Sequence, residues 1–187
     1  MGNRLSPLPT PDHPAFDSRL CQRINRWGGK RLVRDLFRIT SKLGDGWIWY
    51  ALMVALALSF GERGLRASLH MLCTGFVAWQ LYRWMKRRTR RPRPYRRNPD
   101  VVAHIPPLDE FSFPSGHTLH AVSFSIVAIA WFPALAPPLV GFAILVAASR
   151  VVLGLHYPTD VLAGAFLGAA LGAASLWGYS AVFSAIQ

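Results

Sequence analysis

Three short clusters in this 187-residue chain carry residue types whose spacing suits the handling of an anion. The first is the cationic run from Lys86 to Pro94, with Arg87, Arg88, Arg90, Arg91 and Arg93 between. Alone it reads as a headgroup or topology signal at the end of an apolar segment. The second is Phe113-Pro114-Ser115-Gly116-His117, where a Ser and a Gly place free backbone N–H groups at the positive end of a helix, with an imidazole alongside. The third joins Ser149 and Arg150 to His156 and Asp160. A carboxylate four residues after a histidine, in the first turn of a helix opened by Pro158, can accept one imidazole N–H and leave the other nitrogen free to act.

The order and spacing of these clusters, Lys-x6-Arg-Pro, then Pro-Ser-Gly-His, then Ser-Arg-x5-His-x3-Asp, are met without a departure by Lys86, Arg93 and Pro94, by Pro114 to His117, and by Ser149, Arg150, His156 and Asp160. The pattern resembles the type 2 phosphatidic acid phosphatase family, whose site is shared by bacterial acid phosphatases, glucose-6-phosphatase and vanadium haloperoxidases. The motifs span residues 86–160.

The resemblance implies a role for each residue. Lys86, Arg93 and Arg150 neutralise a phosphate dianion, and Ser115 with the Gly116 N–H completes the cradle. His156 is the nucleophile and forms a phosphohistidine, oriented by Asp160. His117 protonates the departing oxygen and then activates water. No metal and no cofactor is implied. The implied function is a membrane lipid phosphatase acting on polyprenyl diphosphate, phosphatidic acid or phosphatidylglycerol phosphate, similar to compact bacterial members of the family. A phosphotransferase using the same site and a non-catalytic scaffold are the competing readings.

The elements that must hold these clusters are apolar. Hydrophobic residues make up 52% of the chain and charged residues 16%, yet the net charge is +12. A basic nucleic-acid-binding domain would not need so much apolar sequence, so nucleic acid is excluded as a partner. The apolar runs predict an all-α polytopic membrane bundle of about five crossings. They centre on Trp47 to Phe60, Ala67 to Met85, Ser115 to Phe132, Leu139 to Leu155, and Pro158 to Phe183, with Pro133, Pro137 and Pro138 forcing a turn. Gly164, Gly168 and Gly172 form a groove for a neighbouring helix, within the chain or across a dimer.

Ahead of the first crossing, Phe16, Leu20, Ile24 and Trp27, and then Val33, Leu36 and Phe37, recur among arginines. They predict an amphipathic segment on an anionic leaflet. The chain is thus read as an interfacial segment, 1–42, and a phosphatase domain, 43–187. Nineteen of the 21 basic residues fall on the face that carries the three clusters, leaving Arg63 and Arg66 on the other. The positive-inside rule puts the site face in the cytoplasm, in a bacterial inner membrane, with anionic headgroups and a lipid phosphate as partners.

Some residues are expected outside the chemistry. Arg87, Arg88, Arg90, Arg91, Arg96 and Arg97 are assigned to headgroup attraction and topology. His104, Asp109 and Glu110 are read as solvated, a carboxylate being free to hold a surplus arginine. His120 faces the bundle or the lipid edge, and Cys21 and Cys73 are packing residues. The N-terminus lacks the apolar core of a cleavable signal peptide.

Overall fold

The computed structural model describes residues 15–186, all of whose regular elements are helical. Arg4 and the rest of the expected interfacial segment before Ala15 lie outside the described residues. The helices are α1 (Ala15–Asn25), α2 (Arg31–Gly44), α3 (Trp47–Thr89), α4 (Pro94–Arg97), α5 (Gly116–Trp131), α6 (Ala136–Val152) and α7 (Pro158–Ile186), with short 3-10 turns at Arg26–Gly29 and Pro133–Leu135. By length and composition α3, residues 133–152 and residues 158–181 can cross a membrane, while α5 is apolar but only 16 residues long. The architecture is an all-α membrane bundle.

Helix α3 is two limbs. Phe60 and Gly61 leave helical geometry, and Gly61 sits at φ 51°, ψ −130°, which a side chain would resist. The chain reverses there. Ser68 Oγ donates to Met53 O at 2.7 Å, and a Cβ on Gly64 would lie 1.8 Å from Leu56 O, so the limb backbones touch. The apolar runs leave 61–66 between two crossings, but the helix resumes by Glu62. The Glu62–Arg66 ion pair (2.6 Å) supports this turn, and Arg63 donates back to Trp131 O at 2.5 Å.

The prolines also differ from expectation. Pro137 and Pro138 lie in the first turn of α6, where a missing N–H costs nothing, and the helix ends at Val152 instead of continuing to Leu155. Gly164, Gly168 and Gly172 face α5. A Cβ on the first two would come within 2.6 Å of Ser115 O and 2.5 Å of Leu119 O, so the groove is filled from within the chain. Lipid tails are as apolar as leucine, so such close contact holds the helices together more than the hydrophobic effect does. Trp49, Met53, Met71, Phe124, Val127 and Val146 form the core between α3, α5 and α6. Polar residues inside it are satisfied locally: Ser68, Thr74 and Ser125 each donate to the carbonyl four residues back.

The N-terminal helices meet the rest of the protein through polar residues. The stripe Phe16, Leu20, Ile24, Trp27 is not the buried one; Phe16 and Trp27 are exposed, and α1 buries Asp17, Cys21 and Asn25 instead. The reason is hydrogen bonding. The Asn25 amide donates to Val102 O and Val152 O and accepts from the Val102 N–H, each at 2.9 Å. Helix α2 likewise buries Thr40, Ser41 and Gly44 while Leu32, Leu36, Ile39 and Leu43 point outward.

Candidate active site

The three clusters meet at one end of the bundle around a cavity of about 570 Å³. Helix α3 ends there because Arg90 turns left-handed (φ 46°) and Pro92 cannot continue the ladder, which releases Arg91 and Arg93 into the loop. Lys86 is still in the helix. Ser115 caps α5, its Oγ accepting from the Thr118 N–H and 2.9 Å from Thr118 Oγ1. Pro158 opens α7 and sets Asp160 in its first turn.

Lys86, Arg93, Gly116, His117, Arg150 and His156 all line the cavity. Ser115 does not share that wall: it is fully buried, its hydroxyl spent on the α5 cap and its N–H on Asp160 O at 3.0 Å. Asp160 lies behind His156. Its Oδ2 is 3.6 Å from His156 Nδ1, too far for a hydrogen bond, and that nitrogen has no partner. On the cavity side, His156 Nε2 lies 3.3 Å from Arg93 Nη1. Burial first, and then Arg93, Arg150 and Lys86, push the His156 pKa well below the ordinary histidine range, so the ring is held neutral.

Asp160 is held by the Tyr157 N–H, which donates to Oδ2 at 2.8 Å, and by Arg91, a residue that sequence reasoning assigns to headgroup attraction. Arg91 is buried. Its Nη1 donates to Asp160 Oδ1 at 2.5 Å, its Nη2 donates to Asp17 Oδ2 at 2.7 Å, and it stacks 4.1 Å above the Tyr157 ring. Two carboxylates desolvated on either side explain why this arginine leaves the surface. Asp17, from α1, also accepts the Thr159 hydroxyl (2.5 Å) and the Thr159 N–H (3.2 Å), which caps α7. Cys21 donates to His156 O at 3.7 Å; burial first, then Asp17 and Asp160, push its thiol up to about 12, so it packs and does not react.

Helix α2 reaches the opposite wall. Ser41 Oγ bonds Arg150 Nη1, and Asp45, in the turn before α3, accepts from His117 Nε2. Asp109 is not merely solvated. It pairs with Lys86 (2.6 Å) and Arg93 (2.8 Å), and although burial alone would raise its pKa, Lys86 and then Arg93 hold the carboxyl below the usual range. Glu110 does hold a surplus arginine, Arg96, at 3.1 Å. The His104 ring packs half-buried against Gly28, with the backbone N–H donating to Leu153 O at 3.1 Å, so it is not simply solvated either. His120 faces the bundle, bonding Gly116 O at 2.9 Å beside the Tyr82 ring.

Asp17, Ser41, Asp45 and Asp109 have no motif of their own. The available signals were Asp17, Cys21 and Asn25 recurring at helical spacing, and Asp45 standing between two glycines at a helix junction. Beyond the charged end, Trp49, Tyr50, Phe76, Trp79 and Phe124 continue the cavity as an aromatic wall between the α3 limbs and α5.

Residues 46–183 match the model of the PAP2 superfamily. The chain is 37% identical over 129 residues, 68% of each chain, to the decaprenylphosphoryl-5-phosphoribose phosphatase of Mycobacterium tuberculosis. It is 31% identical to the undecaprenyl-diphosphatase of Sulfolobus acidocaldarius over 73% of this chain and 66% of that one. The crystal structure of a transmembrane PAP2 type phosphatidylglycerolphosphate phosphatase from Bacillus subtilis shares the fold, with a TM-score of 0.74 and 24% identity over 91% of this chain and 89% of that one. A helical bundle that gathers two histidines and three cations at one end, and a family match that runs through all of them, establish that the chain belongs to the PAP2 superfamily and is an integral membrane lipid phosphatase.

Proposed function

We propose that the enzyme removes phosphate from a lipid phosphate monoester or diphosphate, with polyprenyl-linked phosphates the favoured class, through a phosphohistidine at His156 and without a metal ion. The observation that carries this reading is a single cavity with both histidines and three cations at one end and an aromatic wall at the other. The headgroup sits among the charges while the tail leaves between helices. The polyprenyl names of the two curated relatives support the substrate class.

The neutral His156 Nε2 attacks phosphorus as the bond to the leaving oxygen breaks, and His117 donates the proton that this oxygen needs. Asp160 supports the positive charge that develops on the His156 ring, and the buried Arg91 keeps Asp160 in place. Lys86, Arg93 and Arg150 hold the equatorial oxygens with the Gly116 N–H. His117 then takes a proton from water, the water oxygen bonds to phosphorus, the P–N bond breaks, and inorganic phosphate leaves.

In this reading the two α3 limbs, α5, α6 and α7 are five crossings. Residues 1–42 form an interfacial segment ahead of a phosphatase domain, 43–187, with Leu32, Leu36, Ile39 and Leu43 turned to lipid. Arg83, Arg87, Arg88, Arg90 and Arg96 remain exposed to draw anionic headgroups, and by the positive-inside rule their charge supports a cytoplasmic position for this face. The test is phosphate release from a panel of prenyl and glycerolipid phosphates with EDTA present, comparing wild type with His156→Ala. Release by wild type alone, with prenyl substrates preferred, is expected. Abolition by EDTA overturns the metal-free mechanism, and turnover by His156→Ala overturns the nucleophile.

A further inference from the structure

The cradle assigned to the phosphate already holds an anion of the chain itself. Lys86 Nζ commits all three of its N–H groups, to Asp109 Oδ1 (2.7 Å), Asp109 Oδ2 (2.6 Å) and Phe111 O (3.1 Å). Arg93 commits Nη2 to Asp109 Oδ1 (2.8 Å), Nε to Asp109 O (3.0 Å) and Nη1 to Leu155 O (2.8 Å). While Asp109 stays, Lys86 has no donor to offer a headgroup and Arg93 keeps two of its five, with Nη1 3.3 Å from His156 Nε2.

The three side chains differ in their freedom. Lys86 and Arg93 are 8% and 1% exposed, fixed from below by the helix end and by Leu155 O. Asp109 is 40% exposed and lies in the loop before the Ser115 cap, with solvent on its open side. When an external anion arrives, the carboxylate is the group that can leave.

We propose that Asp109 is a specificity-determining residue: its carboxylate occupies the phosphate cradle of the resting enzyme, and only a headgroup with more than one negative charge displaces it. A phosphomonoester or diphosphate brings nearly two charges or more and at least three acceptor oxygens against the single charge of the carboxylate. A phosphodiester headgroup brings one charge, so the exchange gains nothing. The distinction matters at this surface. The exposed arginines beside the cavity attract anionic lipids without regard to kind, and most such lipids are phosphodiesters. Asp109 keeps that crowd out of the site.

The inference rests on the reading of Lys86 and Arg93 as phosphate ligands, and the experiment separates the two. Binding of inorganic phosphate is measured at about pH 7, where a large share of it is the dianion, to detergent-purified wild type, Asp109→Asn, Asp109→Ala and Lys86→Ala. Loss of the internal competitor should tighten binding to both Asp109 variants about tenfold. It should also make hydrolysis by Asp109→Asn sensitive to phosphatidylglycerol in the micelles, at levels that leave wild type unaffected. Unchanged or weaker phosphate binding by folded Asp109 variants overturns the inference, because the carboxylate would then be positioning the cations. Unchanged binding by Lys86→Ala overturns the cradle reading and the inference with it. Should the Asp109 variants fail to fold, hydrogen exchange of wild type decides: phosphate should speed exchange at 107–112, and slower or unchanged exchange there overturns the proposal.

Discussion

The two histidines of the cavity are held differently. His156 is 2% exposed, and its ring faces Arg93 on one side and Asp160 on the other, both of them buried. His117 is 11% exposed, stands in the first turn of α5, and touches Asp45, which is itself 31% exposed in a turn flanked by Gly44 and Gly46. The difference matches two different tasks. A nucleophile must be neutral and fixed in direction, and burial among cations provides both. A group that gives a proton to one oxygen and takes it from another must reach the open part of the cavity.

The largest expected effect tests that division directly. His156→Ala should abolish turnover through a covalent intermediate, whereas His117→Ala should lose about 10²–10⁴-fold on lipid substrates and far less on an ester with a good leaving group. Rapid quench of His117→Ala with such an ester should trap an acid-labile, base-stable phosphoenzyme. If no adduct forms, or if leaving-group quality makes no difference, the two histidines do not divide the work in this way.

A smaller effect sharpens the His156 side. Arg91→Met changes no cavity-lining residue but removes the ion pair on Asp160 Oδ1 and leaves only the Tyr157 N–H on Oδ2, so kcat should fall about 10–100-fold with KM nearly unchanged. This split is what separates positioning from headgroup attraction. An arginine that drew lipid to the surface would change KM, and added salt would erase its effect. A variant whose loss lies in KM and vanishes in salt returns Arg91 to the surface role.

Why Arg91 was misassigned while Arg93 was placed in the site shows how legibility divides here. The motif residues Lys86, Arg93, His117, Arg150 and His156 could be read because their spacing is local, and the structure brings them to one cavity. The helical limbs could be read because apolar length is a property of the segment alone. Arg91 sits in a run of like residues, and nothing local tells a buried cation from a solvated one; its burial depends on Asp17, 74 positions away. The same holds for Ser41 and Asp45, which approach Arg150 and His117 only once α2 folds over the site. For the N-terminal helices the apolar periodicity could be read, but the polar contacts beneath it could not. The residues that pack on the protein there are polar, Asp17, Cys21 and Asn25, and their partners Arg91, His156 and Val102 lie far along the chain.

The smallest expected effect compares His156 with Asp109 through the pH dependence of stability, with no turnover needed. The folded state keeps His156 neutral well below its ordinary range, while the unfolded chain protonates it at about pH 6.5. The unfolded state therefore binds more protons below that value, and this contribution to stability is present above it and lost as the pH falls. Asp109 works in a lower window. Its carboxyl is held below the usual range by Lys86 and Arg93 against the pull of burial, so its contribution is present above about pH 4 and lost below. His104, half-buried and also shifted down mainly by burial, shares the upper window, so removing His156 should flatten the slope without abolishing it. Thermal unfolding in detergent between about pH 5 and 7 should show a shallower rise of the midpoint with pH in His156→Gln than in wild type, and a wild-type slope in Asp109→Asn. Equal slopes in wild type and His156→Gln would mean that the ring takes up its proton in the folded state as readily as in the unfolded chain, and the neutral nucleophile would have no physical basis.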